Sequence, residues 1–280
     1  MKNILLPTDF SENSYNAIAY ALRHFENSKC NFYLLHVTTI DVLVGADTVY
    51  LTSQEEIENV YTKPAKQQLV ALLKRISKSF KPNENHKFYT LTDYNFIIES
   101  IRKHVKEKKI DLIVMGTKGA SGLKEFIIGS NSGDVITKVR CTSLIVPENA
   151  TYKAIEEIAF PTDFSLSYDI QTLQPISDIL KEKKAFLRIL HITKKNAELN
   201  IEEQSNKDLL EDFFDGYKHS FHFLTHNKIE SAIQSFVESR DIDIIVMVAK
   251  NLNYFQHLLF HTRVEKISYH TDIPFLVLHE

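Results

Sequence analysis

Ile110-DLIVMGTKGASGLKEFIIGSNSGDVI-Thr137 is the stretch from which the fold can be read. Its apolar opening, Ile110 to Met115, reads as a buried strand, and Asn131 to Val139 reads as a helix. Between them the chain spends glycine freely. Five of its seven glycines, Gly116, Gly119, Gly122, Gly129 and Gly133, fall within eighteen residues. In a glycine-poor chain such a cluster marks backbone that turns tightly or approaches something closely. A strand, a glycine loop and a helix start together form a phosphate-binding geometry, because loop N–H groups and the positive end of the helix dipole converge on an anion.

Working outward, the same strand recurs. Ile110-DLIV-Met115 returns as Ile242-DIIV-Met247, Pro7-TDF-Ser11 as Pro161-TDF-Ser165, and Leu35-H-Val37 as Leu190-H-Ile192. Three matches in one order make an internal duplication, with domains expected at residues 1–149 and 150–280. The offset falls from 154 or 155 residues to 132, so the second copy lacks about 23 residues that the first carries opposite Thr38 to Lys81. That region holds the irregular Asp41-VLVGADTVYLTSQEE, a candidate lid or packing excursion, and then a helical pattern through Ala65, Leu69, Leu72 and Ile76.

Strands and helices alternate in each copy. In the first, strands are expected near Asn3–Leu6, Phe32–Val37, Lys87–Leu91, Leu112–Met115 and Ser143–Val146. Amphipathic patterns such as Ala17, Ile18, Ala21 and Leu22, or Ile97, Ile98, Ile101 and Val105, separate them. The expected fold class is therefore α/β: two tandem, doubly wound domains, each a five-stranded parallel sheet covered on both faces. Ligands of such sheets bind beyond the carboxyl ends of the strands, where strand order reverses. Pro7-Thr8-Asp9 after the first strand, Val37 at the end of the second, and Met115-Gly116 at the end of the fourth should meet there.

Composition sets the outer limits. The chain has 280 residues, 44% hydrophobic and 25% charged, enough for two ordinary cores. A net charge of −3 without a long basic stretch gives no electrostatic footprint for nucleic acid. No apolar run approaches the roughly 20 residues that span a bilayer, and Met1-KNILLPTDF lacks a signal-peptide pattern, so a cytoplasmic location without a membrane partner is expected. Cys30 and Cys141 are too few for a disulfide framework and read as structural.

On these residues the chain resembles a tandem universal stress protein. The ATP-binding subgroup of that family carries G-x2-G-x9-G-[ST], and Gly116-TK-Gly119-ASGLKEFII-Gly129-Ser130 matches it at every fixed position. The resemblance implies a Rossmann-like or flavodoxin-like fold and ATP, ADP or AMP as ligand, with Mg2+ beside the phosphates. It also implies that Asp9 contacts the ribose, that Val37 and the Pro7-Thr8 backbone border the adenine, and that Gly116, Gly119, Gly129, Ser130 and Asn131 hold the phosphates. Fifth strands commonly pair in this family, which implies an intrachain pseudo-dimer through Ser143-LIVP and Phe275-LVL. A homodimer of whole chains and an unknown protein partner remain open.

Other readings are weaker. Neither G-x-x-x-x-G-K-[ST] nor G-x-G-x-x-G occurs. A receiver domain would need an acidic phosphoacceptor at the end of the third strand, where Asp93 comes one step late. In the second copy Val248, Asn251 and His261 stand opposite Gly116, Gly119 and Gly129, so that loop is degenerate. Asp163 survives there, and two readings stand for both aspartates: a ligand contact, or a turn and helix cap that needs no ligand. Eight of the twelve histidines lie in the second half. Imidazoles through His219-SFHFLT are expected on one face of a strand, making a metal or small anion a second possibility for this copy. No nucleophile–base set or paired-carboxylate site is evident, so a regulatory nucleotide binder is favoured over a slow ATP hydrolase.

Overall fold

The computed structural model describes residues 1–39, 58–117, 130–165, 168–193, 198–251 and 272–279. The first half runs β1 (Lys2–Pro7), α1 (Glu12–His24), β2 (Cys30–Thr38), α2 (Lys63–Ser79), β3 (His86–Tyr94), α3 (Ile97–Lys108), β4 (Leu112–Gly116), α4 (Ser130–Lys138) and β5 (Ser143–Val146). The second runs β6 (Glu157–Pro161), α5 (Ile170–Lys183), β7 (Phe186–Thr193), α6 (Ile201–Phe213), β8 (His219–Thr225), α7 (Ile229–Ser239), β9 (Ile244–Val248) and β10 (Phe275–Leu278). The candidate lid, 41–56, lies outside the described residues. Most of the length that the second half lacks comes from this connection, which spans 39–62 between β2 and α2 but only 194–200 between β7 and α6.

All ten strands form one sheet in the order β3-β2-β1-β4-β5-β10-β9-β6-β7-β8. Each half is a parallel five-stranded array. The halves join where β5 meets β10 antiparallel, with Phe275 opposite Ile145, Leu276 opposite Leu144 and Val277 opposite Ser143. The expected doubly wound fold and fifth-strand seam are thus what the chain adopts. Sequence periodicity explains the layers. On β1, Ile4 and Leu6 face one side and Leu5 the other, the period-2 alternation of a strand buried on both faces. The first side packs α1, α2, α5 and α6 through residues such as Ala17, Leu69, Leu173 and Leu210. The second packs α3, α4 and α7 through Ile101, Val135 and Ile233.

Local signals fix the helix ends. Ser11 caps α1 by accepting from the Ser14 N–H, and Asn200 with Glu203 makes a reciprocal capping box on α6. Cys30 and Cys141 are buried, and burial pushes their thiols up to about 11 and about 12.

Two expectations change in detail. β3 continues through Tyr94, so Asp93 lies inside the strand, where its carboxylate accepts from His104 Nε2 at 2.9 Å and sits 3.4 Å from Lys103 Nζ. It serves as an internal anchor for α3. His219 and His222 lie on opposite faces of β8 because they are three residues apart in a structure of period two. The His219 ring meets Phe221, whereas the His222 ring meets Phe236 of α7 on the other face. Among the described residues no group of three His, Cys, Asp or Glu side chains could hold a metal.

Because the sheet is continuous, Leu276→Ala at the seam should destabilise both halves together, by about 2–4 kcal/mol for a buried leucine. Urea unfolding followed by circular dichroism should keep one transition at a lower midpoint; two separated transitions would show that the halves fold independently. At pH 8 neither thiol should react with Ellman's reagent until the chain is unfolded, since thiolate is the reactive form.

Candidate functional site

The order β3-β2-β1-β4-β5 places the switch point of the first half between β1 and β4. Leu5 pairs with Ile113 across these strands, so Pro7-Thr8 and Met115-Gly116 emerge side by side. β2 closes the other flank: the Thr8 N–H donates to Leu35 O at 2.8 Å, and His36 Nδ1 donates to Thr8 O at 2.8 Å. Val37 and Met115 both pack in the second-face cluster, Met115 almost fully buried. The side chain of Met115 is therefore committed to the core, and what the site gains from it is the backbone it ends.

After β1 the chain makes a tight turn that is built by its own side chains. Asp9 Oδ1 accepts from the Ser11 N–H at 3.1 Å and from Ser11 Oγ at 2.6 Å, and Thr8 Oγ1 accepts from the Phe10 N–H at 3.0 Å. Burial raises the Asp9 pKa, but the bonds from Ser11 and Ser14 outweigh it and hold the carboxyl below its ordinary value. Phe10 has φ 65, a left-handed conformation that costs a non-glycine residue about 1–2 kcal/mol. Its ring lies 4.4 Å from that of His36, contact that offsets part of the strain.

The second half repeats the device. Asp163 Oδ1 accepts from the Ser165 N–H and Oγ, Thr162 Oγ1 accepts from the Phe164 N–H, Phe164 has φ 57, and His191 Nδ1 donates to Thr162 O. Both aspartates thus hold the turn, while the helix caps are Ser11 on α1 and Asp169 on α5, and the paired histidines have backbone partners. A turn present in both halves does not depend on the glycine loop that only one half possesses.

Gly116 is where the halves part. Its carbonyl accepts from the Ser132 hydroxyl at 2.7 Å, which ties the first turn of α4 beneath the strand end. A Cβ at Gly116 would come within 2.7–2.8 Å of the Asn13 side chain. A side chain here would therefore have to push the Asn13 amide aside, in addition to taking any space the glycine leaves for a ligand. In the second half Val248 holds the same register, opposite Leu278 as Gly116 is opposite Val146, and its side chain is buried in the core. Opposite Asn13 the sequence there carries the smaller Ser167. Ser130 opens α4 and Asn131 is exposed in its first turn, so the positive end of this helix faces the switch point. Gly119 and Gly129 lie outside the described residues, as do Lys118, Lys124 and Glu125 and, in the second half, His257, His261 and Arg263.

Sequence reading missed Arg75. A cleft of about 230 Å³ beside the turn is lined by Thr8, Ser11, Ser14, Tyr15 and Arg75. The Arg75 guanidinium lies 3.5 Å over the Tyr15 ring and donates twice to Glu12, at 2.8 and 2.6 Å. No motif announces it, because its partners are 60 or more positions away in sequence. Gly116→Ala should lower stability by about 1–3 kcal/mol through overpacking against Asn13, and much of the loss should vanish in an Asn13→Ala background. A double-mutant cycle of urea midpoints checks this, and strict additivity would refute the contact.

With this geometry in hand, comparison with known proteins is informative. The family model described as the universal stress protein family matches residues 1–147. The universal stress protein MJ0531 of Methanocaldococcus jannaschii is 28% identical over 145 residues, covering 52% of this chain and 81% of the relative. MJ0577 of the same organism is 28% identical over 158 residues, covering 52% and 94%. The crystal structure of a universal stress protein from Archaeoglobus fulgidus covers 98% of this chain and 97% of its own, with a TM-score of 0.68 at 18% identity, which shows a shared fold across both halves. The switch-point turn, the strand order and the family match over the first half together establish that this chain belongs to the universal stress protein family.

Proposed function

We propose that the first half binds an adenine nucleotide at the β1/β4 switch point and that the protein is a nucleotide-responsive regulator, cytoplasmic and acting through a protein partner. One observation carries the reading. The fold brings the Pro7-Thr8-Asp9 turn, the end of β2 and the N-terminus of α4 to one sheet edge, and the sequence between β4 and α4 has the spacing Gly116, Gly119, Gly129, Ser130. Loop N–H groups and a helix N-terminus are the donors a polyphosphate requires.

In this reading Gly116, Gly119, Gly129, Ser130 and Asn131 take the phosphates, with Mg2+ offsetting their charge. Val37 and the Pro7-Thr8 backbone border the base. Asp9 accepts from a ribose hydroxyl while keeping its bonds to Ser11, since a carboxylate has more lone pairs than the turn uses. The second half keeps the turn and fills the Gly116 position with Val248, so it acts as a structural partner for the first.

Isothermal titration of nucleotide-stripped protein with Mg-ATP should give one site per chain. Gly129→Val should abolish binding and Asp163→Ala should leave it unchanged, while Asp9→Ala should weaken it by about 1–3 kcal/mol. An absence of binding in the unmodified chain would overturn the proposal. Two sites would overturn the structural role of the second half, and phosphate release at a steady rate would make the protein a hydrolase.

A further inference from the structure

The two halves are related by a pseudo-twofold axis at the β5–β10 seam, yet the grooves on either side of that axis are filled differently. The buried residues Ala17, Ile18, Ala21 and Leu22 of α1 correspond to Thr172, Leu173, Ile176 and Ser177 of α5, an offset of 155. On the adjoining face Asn16, Tyr20 and His24 therefore correspond to Gln171, Pro175 and Ile179. On α1 this face is covered by the segment that joins the halves. Asn16 Nδ2 donates to the carbonyls of Pro147, Glu148 and Ala150, and the Tyr152 ring packs edge-on against Tyr20 at 5.2 Å and His24 at 6.0 Å. Tyr20 is 2% exposed and His24 5%. On α5 the matching face is uncovered among the described residues, and Pro175 and Ile179 stay only half-buried.

The uncovered face opens onto a cavity of about 370 Å³ between α5 and the end of α1, over the strands β4, β5, β9 and β10. Its floor is apolar, with Leu144, Ile179 and Ile244, and its lining carries three carboxylates, Asp111, Asp178 and Glu182, against one lysine, Lys2. His24 forms part of the wall, and its Nδ1 has no hydrogen-bond partner among the described residues. Burial, with Lys183 and Lys2 nearby, pushes the His24 pKa down to about 4, so the ring adds no positive charge to the wall at physiological pH. An apolar cavity of about 150 Å³ holds a benzene ring, so this one has room for a ring with a short polar arm.

We propose that this inter-half cavity is a second binding site, distinct from the nucleotide edge, for a small arylalkyl amine. The aromatic ring takes the place that Tyr152 holds in the pseudo-symmetric groove, and the ammonium group is held by Asp178 and Glu182 on α5. Those carboxylates have partners of moderate strength already: Lys2 lies 3.7 Å from Asp178, and Lys183 donates to Glu182 at 2.7 Å. Both carboxylates keep exposed surface, so an incoming ammonium adds a charge-assisted bond rather than replacing a buried ion pair. The cavity is lined by Met1, Lys2, Asp111 and Leu112 at the amino ends of β1 and β4, the opposite ends of those strands from the switch point, so the inference does not rest on the nucleotide reading.

The test is titration of the full chain with tyramine, 4-ethylphenol and 3-(4-hydroxyphenyl)propionate as amine, neutral and acid forms of one ring, followed by calorimetry and methyl NMR. Tyramine should bind once per chain, move the Leu144, Ile179 and Ile244 methyl signals, and bind equally with Mg-ATP present. The acid should bind at least tenfold more weakly. Ile179→Trp should fill the cavity and remove binding. Because that variant could fail to fold, Asp178→Asn/Glu182→Gln provides a second check: it should weaken tyramine by about tenfold per carboxylate while leaving 4-ethylphenol unchanged. No saturable binding of tyramine, equal binding of the acid, displacement by Mg-ATP, or tyramine affinity unchanged in the double variant would each overturn the proposal.

Discussion

The antiparallel pairing of β5 with β10 is the contact on which the rest of the molecule depends. A parallel five-stranded array ends in an unpaired strand on each side, and an exposed edge is a template for aggregation. Pairing the fifth strands of two covalently joined copies removes one edge from each and continues the hydrophobic layers across the join. It also sets α1, α2, α5 and α6 on a common face of the sheet. The cavity beside α5, lined by both halves, is a consequence of that arrangement.

Once two copies share a sheet, each is released from a different constraint. Both keep the Thr-Asp-Phe-Ser turn, because it terminates a central strand and holds a left-handed phenylalanine in place. They diverge at the end of the fourth strand. In the first half a glycine there admits the Asn13 side chain; in the second a valine joins the core. A glycine-to-valine exchange at a strand end adds apolar burial at the expense of space, which is the trade expected of a copy kept for its contribution to the assembly.

The connection between the halves adds a second asymmetry. Residues 147–152 are anchored by Asn16 and carry Tyr152 into the groove beside α1. A linker can cover only one of two symmetry-related faces, so a tandem fusion of two similar domains necessarily treats its two grooves unequally. The half-buried Pro175 and Ile179 on α5 are the visible result.

Much of this was legible in the sequence. The repeated Pro-Thr-Asp-Phe-Ser and Ile-Asp-x-Ile-Val-Met segments determined two α/β copies, because strand burial on both faces and turn chemistry are local and recur with the residues that cause them. The glycine spacing pointed to the sheet edge between β4 and α4 for the same reason. Other features depended on which residues meet across long separations. Asp93 became an anchor for His104 only because β3 extends to Tyr94, whereas the separation of His219 from His222 follows from their odd spacing on a strand and was open to a sequence reading. The Arg75 cluster beside the turn, the packing of Asn13 against Gly116 and the cavity beside α5 all join side chains that no periodicity relates. Local pattern specifies the elements and their faces, whereas the contacts between distant elements are decided by how those faces pack, and only the tertiary structure contains that information.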